Sequence, residues 1–231
     1  MLHHVRGLFI TGTGTGVGKT YVAALIARAL RAAGRRVGVY KPAASDCRPD
    51  ARGRLVSHDA WTLWQAIGRE GQLDRVCPQS FVAPLAPHLA ARAEGGELDA
   101  YKLRSGLDYW RSHSEIILVE GSGGLMSPLG DEEYVADLAH DFGFPLIVVT
   151  RNVLGTINAT LQTLIAAAAF REGLPVAGVV LNHPSPSSAA DPSQASNREE
   201  LARRCRPPLL AEVAFGAAGL DAGVDWFGLA R

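Results

Sequence analysis

Apolar runs of strand length recur at residues 8–11, 37–40, 116–119, 146–150 and 176–181, with a weaker one at 209–213, each bounded by turn-forming residues. Because they are continuously apolar rather than alternating, they predict strands buried on both faces, as in a parallel sheet. Between them, apolar positions repeat every three to four residues and predict helices at 19–33, 59–67, 98–111, 134–140, 157–171 and 198–204. Strand and helix in alternation predict an α/β fold built on a doubly wound, mostly parallel sheet that binds ligands at the carboxyl ends of its strands. The stretch 77–96, with Pro78, Pro84 and Pro87, reads as a loop and short helix crossing the mouth of that sheet. Residues 183–197, rich in Pro, Ser and Ala, read as a long flexible loop. No repeat and no second domain is visible, so 1–231 is expected to be one domain.

Composition narrows the partners. A chain of 231 residues with 47% hydrophobic content can fill a sizeable core, and its formal net charge of zero provides no global attraction to nucleic acid or to an anionic membrane. Any anion must therefore be held by local groups. Cys47, Cys77 and Cys205 form neither a Cys-x-x-Cys pair nor a disulfide framework, which fits a reducing, cytoplasmic setting. Residues 1–6 carry no signal-peptide pattern, and the most apolar helix, near 159–170, is too short and too interrupted by Gln162 and Thr163 to span a bilayer. Among the basic residues only Lys19, Lys41 and Lys102 are lysine. A compact ammonium meets a phosphate differently from a planar guanidinium, so the first two draw notice.

Directly after the first strand comes Thr11-Gly12-Thr13-Gly14-Thr15-Gly16-Val17-Gly18-Lys19-Thr20, and a helix follows at once. Strand, glycine loop, Lys-Thr and helix are the context of a P-loop and predict the P-loop NTPase fold. Glycines at 12, 14, 16 and 18 let the amides of the loop, Thr13, Thr15 and Val17 included, turn toward phosphate oxygens. The helix start adds positive potential, Lys19 reaches the terminal phosphates, and Thr20 can ligate Mg²⁺. Five residues rather than four separate Gly12 from Gly18, one more than the strict pattern. The dinucleotide fingerprint fits worse, lacking its third glycine and carrying Lys41 where an acid belongs. Read blandly the segment is a glycine turn with an incidental lysine, which leaves the flanking strand and helix unexplained.

The third strong strand ends in Val119-Glu120-Gly121-Ser122-Gly123-Gly124. A carboxylate at a strand tip beside a P-loop suits a magnesium ion, which takes one or two carboxylates and substrate phosphates. The glycines behind it, Gly123 among them, let backbone approach a ligand. For Asp59, in Ser57-His58-Asp59, the residues alone leave two readings open: a metal ligand, or an acid in the first turn of a capped helix.

Taken together, Thr11-Gly12-Thr13-x-Thr15-x-Val17-Gly18-Lys19-Thr20, Tyr40-Lys41-Pro42-x-x-Ser45, Pro84-x-x-Pro87-His88, Val119-Glu120-Gly121-x-Gly123-Gly124 and Leu154-Gly155-Thr156-Ile157-Asn158 resemble the dethiobiotin synthetase family, in order, from about Phe9 to Asn182. The resemblance implies an ATP- and Mg²⁺-dependent ring-closing ligase acting on 7,8-diaminononanoate and CO₂ (or bicarbonate). It passes through a carbamate and a carbamic-phosphoric anhydride, as a step of biotin synthesis. It further implies that Lys41 bridges carbamate and γ-phosphate, that Ser45 holds the carbamate region, that Thr15 faces the reacting groups, and that Thr20, Asp59 and Glu120 hold the metal. Gly155, Thr156, Ile157 and Asn158 would bind the substrate carboxylate across a homodimer interface, and Asn182 would read the adenine edge. Without the resemblance those last two features read as an N-capping loop and a polar strand end.

The chain also departs from that family. Gly14 and Gly16 stand where many relatives carry acids, and the usual Gly-x-x-Pro after the last strand is Ala211-Glu212-Val213-Ala214, in a region that helps hold the base. Three other functions compete. A ParA/MinD-type ATPase switch would carry a lysine early in the loop, where Gly12 and Thr13 stand; a cobyrinate-type amidating enzyme would add a Cys-Gly glutaminase motif; a decayed regulatory copy would not retain Lys19, Lys41 and Glu120.

Overall fold

The structure, a computed structural model, is described over residues 5–186, 191–220 and 223–231, so residues 187–190 of the expected 183–197 loop and the first four residues of the chain lie outside it. In chain order the first half comprises β1 (Arg6–Gly12), α1 (Lys19–Ala32), β2 (Val37–Tyr40), β3 (Arg48–Pro49), β4 (Leu55–Val56), α2 (His58–Ala66), α3 (Leu73–Val76), α4 (Pro87–Ala93), α5 (Ala100–Ser105) and α6 (Leu107–His113). The second half comprises β5 (Ile116–Glu120), α7 (Val135–Phe142), β6 (Leu146–Arg151), α8 (Thr156–Ala169), β7 (Val176–Asn182), α9 (Gln194–Arg204), β8 (Leu209–Val213) and α10 (Trp226–Leu229).

Six strands form one sheet in the order β2-β5-β1-β6-β7-β8, and every neighbouring pair is parallel. The continuous apolar runs explain this arrangement: Leu8, Phe9 and Ile10 of β1, Ile116, Ile117 and Val119 of β5, and Leu146, Ile147 and Val148 of β6 have no exposed surface. Helices cover both faces. Each such side chain contributes about 1.5–3 kcal/mol relative to exposure, so the central strands stabilise the fold most and hold the loops at their tips. Register fixes which tips meet. Tyr40 pairs with Val119 and Ile10 with Glu120, which sets Lys41, Glu120 and the start of the glycine loop side by side at the carboxyl edge.

Every predicted strand is present, and the sheet is the expected doubly wound one. The helix expected over 98–111 is two helices meeting at Gly106. There the Tyr40 hydroxyl donates to the Lys102 and Leu103 carbonyls (2.9 and 3.0 Å), and a Cβ on Gly106 would lie 2.3 Å from that hydroxyl oxygen. The helix expected from 198 begins at Gln194, so the end of the expected loop is helical. Its first turn is anchored by Asn197, whose amide donates to Asn152 Oδ1 at 2.8 Å and to the Val153 carbonyl at 3.2 Å. The β3–β4 hairpin, α3 and α10 are short elements that the apolar pattern does not announce. Among the described residues no helix is long and apolar enough to cross a membrane.

Candidate active site

The glycine loop joins β1 to α1 and is shaped by close packing below and open space above. A Cβ on Gly12 would lie 2.6 Å from Val17 Cγ2 and 3.1 Å from the Val149 carbonyl, so only glycine fits where the loop leaves the sheet. Gly16 and Gly18 have φ of 73° and 93°, the left-handed region that side chains resist, and Gly18 is the residue from which α1 starts. A side chain at Gly14 would meet nothing within 4 Å. Lys19 folds back over the loop and donates to the Gly14 carbonyl at 2.9 Å. Burial, and after it the Lys41 charge, pulls the Lys19 ammonium down to about 8.

Beside the loop is an ionic cluster drawn from three elements, with Lys41 and Glu120 buried and Asp59 half-exposed. Lys41, one residue past β2, donates to Glu120 Oε1 at 2.7 Å and to the Gly121 carbonyl at 3.4 Å, and is ion-paired with Asp59 Oδ2 at 3.1 Å. The Thr20 hydroxyl donates to the same Glu120 oxygen at 2.9 Å. Burial alone would lower the Lys41 pKa, but the two carboxylates overcome it and hold the ammonium protonated well above its ordinary range. For Glu120, burial pushes the carboxyl up, against the pull of Lys41. Burial also opposes the Asp59 charge, but Lys41 prevails there and holds that carboxyl below its usual value. Asp59 sits in the first turn of α2, which Ser57 caps by accepting from the Ala60 amide at 3.3 Å, so both readings left open for this residue meet in one place.

The cluster also passes a test for a hard cation. Glu120 Oε2 is buried without a hydrogen-bond partner, and the surrounding donors are two carboxylates and a hydroxyl, the oxygen set magnesium prefers.

A chain of hydroxyls leads from the loop to α8: Thr13 lies 3.2 Å from Thr150, and Thr150 lies 2.8 Å from Thr156. The cleft between them, about 170 Å³, is bordered by Thr13, Gly14 and Thr15 on one side and by Arg151, Gly155 and Thr156 on the other. Gly155 and Thr156 therefore border the glycine loop of their own chain, whereas Ile157 and Asn158 do not line the cleft and Asn158 is exposed. Ser45 is half-buried beyond β2, and Gly123, at φ 74°, backs onto Ser127. Asn182, at the end of β7, donates its side-chain amide to the Val17 carbonyl at 2.9 Å and leaves Oδ1 unpartnered.

The structure thus brings Lys19, Thr20, Lys41, Asp59 and Glu120 together, puts Thr15 and Gly123 alongside, and sets Asn182 under the loop on the far side. Two residues that sequence reading missed, Thr150 and Arg151, close the cleft. Their only signal is that a polar pair ends an apolar strand.

Known proteins resemble this chain in sequence and in fold. A family model described as an AAA domain matches residues 6–216. The ATP-dependent dethiobiotin synthetase BioD of Rhodopirellula baltica is 41% identical over 215 residues, covering 89% of this chain and 82% of that protein. Its counterpart in Anaeromyxobacter dehalogenans is 44% identical over 201 residues, covering 86% and 85%. Among solved structures, the MinC:MinD cell division protein complex of Aquifex aeolicus superposes with a TM-score of 0.55 at 14% identity, covering 91% of this chain and 81% of that one. At that identity the likeness is one of fold.

Proposed function

As a member of the dethiobiotin synthetase family, which its likeness over most of its length to the named synthetases establishes, the chain is, we propose, an ATP-dependent ligase that closes a ureido ring on 7,8-diaminononanoate with CO₂. The observation that carries this reading is the convergence of Lys41 and Glu120 at adjacent strand tips with Lys19 at the start of α1, beside a glycine loop that borders a cleft.

In this reading one amine adds to CO₂ and loses a proton to give a carbamate, and a carbamate oxygen attacks the γ-phosphorus as ADP leaves. The second amine then attacks the carbonyl carbon, phosphate leaves, and loss of a proton completes the ring. No protein nucleophile is needed, so the protein contributes position and charge. Lys19 and the loop amides hold the β- and γ-phosphates, and Lys41 neutralises the carbamate and the transferred group. Thr15 and Ser45 orient the carbamate end. Thr20, Asp59 and Glu120 would hold Mg²⁺, which when bound neutralises phosphate charge. One of the two Asn182 amide hydrogens is committed to Val17, and the unpartnered Oδ1 is an acceptor for the 6-amino group of adenine.

The expected assay result has three parts. Mg-ATP alone, or with bicarbonate, yields ADP slowly; the diamine and bicarbonate together raise the rate strongly, with one ureido product per ADP by mass spectrometry; GTP, whose base carries a carbonyl where adenine carries its 6-amino group, is at least about tenfold poorer than ATP, the effect of one unpaired polar group. ADP release that ignores the diamine would return the chain to the unspecified P-loop ATPases.

The working unit we propose is a homodimer in the cytoplasm, where ATP is made and the buried free thiols Cys47, Cys77 and Cys205 stay reduced. Support comes from α8 and the turn before it, where Leu154 and Ile165 are 81% and 67% exposed. A second copy covering them would bring Ile157 and Asn158 toward the partner's cleft. Ile165→Glu should shift sedimentation from dimer to monomer and lower activity; a wild type that is active as a monomer at assay concentration rules the dimer out.

A further inference from the structure

Three oxygens surround the Lys41 ammonium. Glu120 Oε1 and the Gly121 carbonyl accept hydrogen bonds from it at 2.7 and 3.4 Å, and Asp59 Oδ2 is ion-paired with it at 3.1 Å. In this arrangement Lys41 is engaged by the cluster rather than free for a phosphate or a carbamate. The two carboxylate oxygens it holds belong to the residues assigned above to magnesium, and the Thr20 hydroxyl is bonded to one of them as well. A divalent ion cannot share both oxygens with an ammonium, because two cations would stand at contact distance in one cluster, with the Lys19 charge close by. What remains are Glu120 Oε2, buried and unpartnered beside the pair, and the second carboxylate oxygen of the half-exposed Asp59.

We propose that in the free protein the Lys41 ammonium occupies the place of the divalent cation, so that the metal enters only with the nucleotide and, by displacing Lys41, frees it for the reacting groups. The inference rests on the assignment of Thr20, Asp59 and Glu120 to the metal. Its physical content is a competition. Without nucleotide the two carboxylates already hold Lys41 between them, and adding a dication beside that ammonium costs more than the two remaining oxygens return. A triphosphate brings enough negative charge to hold both the dication and the displaced ammonium. Lys41 is thereby kept from the phosphoryl side until both have arrived, which limits idle hydrolysis.

The test measures binding rather than turnover. Mn²⁺ alone, titrated into nucleotide-free protein and followed by the paramagnetic resonance of the free ion, should bind weakly to wild type, at least tenfold tighter to Lys41→Met, and weakly again to the Lys41→Met, Glu120→Gln double variant. A parallel titration of Mn²⁺ with a non-hydrolysable ATP analogue compares wild type with Glu120→Gln. If Lys41→Met is no tighter while Glu120→Gln weakens Mn²⁺ in the presence of the analogue, the competition is overturned and the metal assignment survives. If Glu120→Gln changes nothing there, both fall. In case Lys41→Met does not fold, wild-type protein with ¹⁵N-labelled lysine provides a second readout. The slowly exchanging Lys41 ammonium signal should shift or vanish on adding Mg²⁺ with the non-hydrolysable ATP analogue but not the analogue alone, and a signal unmoved by the two together overturns the proposal.

Discussion

In the Lys41→Gln variant, kcat for diamine-dependent ADP formation should fall by roughly two to three orders of magnitude, the loss expected when one charged group is removed from a developing transition state. Glutamine keeps most of the length and an N–H donor, so what is lost is the charge. Lys19 and the loop amides remain, and ADP affinity should change by only about threefold or less, the pattern of an interaction made mainly in the transition state. Stability should also drop, since Glu120 loses its counter-ion, and breaking such a buried pair costs up to about 3–5 kcal/mol. Protonation of Glu120, which burial already favours, offsets part of that. Single-turnover kinetics with calorimetric ADP titration separates the two effects. An unchanged kcat at saturation would remove Lys41 from the chemistry.

Gly18→Ala should be nearly as damaging, for a steric reason. The residue has φ 93°, and an added Cβ would lie 2.0 Å from the Asn182 amide nitrogen, which donates to the Val17 carbonyl. The left-handed conformation alone costs alanine about 1–2 kcal/mol, and moving Asn182 breaks a buried hydrogen bond worth about 1 kcal/mol more. A total of about 3 kcal/mol corresponds to a melting temperature lowered by roughly 6–12 °C in a chain of this size. Because the same residue starts α1 and aims its first amides, nucleotide affinity should fall about a hundredfold. A variant that melts and binds ADP like wild type would show that the loop can relax at Gly18 and that its backbone geometry is not what holds phosphate.

How much of this was legible beforehand depends on whether the cause is local. The strand at 116–119 and the glycine loop are written in consecutive residues, so their type and place were readable, and Glu120 could be singled out because it ends an apolar run. The Lys41–Glu120–Asp59 contact joins residues far apart in the chain and exists only because β2 lies beside β5. No periodicity encodes strand order, which is why the bare residues left Asp59 between cap and ligand. The break at Gly106 escaped for a similar reason: its cause is Tyr40, a buried residue on another element. Similarly, the early start of α9 depends on Asn152, which reaches it from the end of β6. Candidate metal and phosphate residues were thus visible as chemistry, while the pairing that occupies them was not.

The open space at Gly14 has a consequence for turnover. Where a carboxylate stands in the phosphate loop it pushes against the departing ADP as well as the arriving ATP, so an uncharged loop retains both for longer. Slow product departure can then set the pace of the cycle. Since a side chain at position 14 meets no neighbour and the backbone there is not left-handed, an acid can be reinstated by one substitution without strain, whereas at Gly16, with φ 73°, it cannot. One loop position thus acts as a dial between holding nucleotide and letting it go.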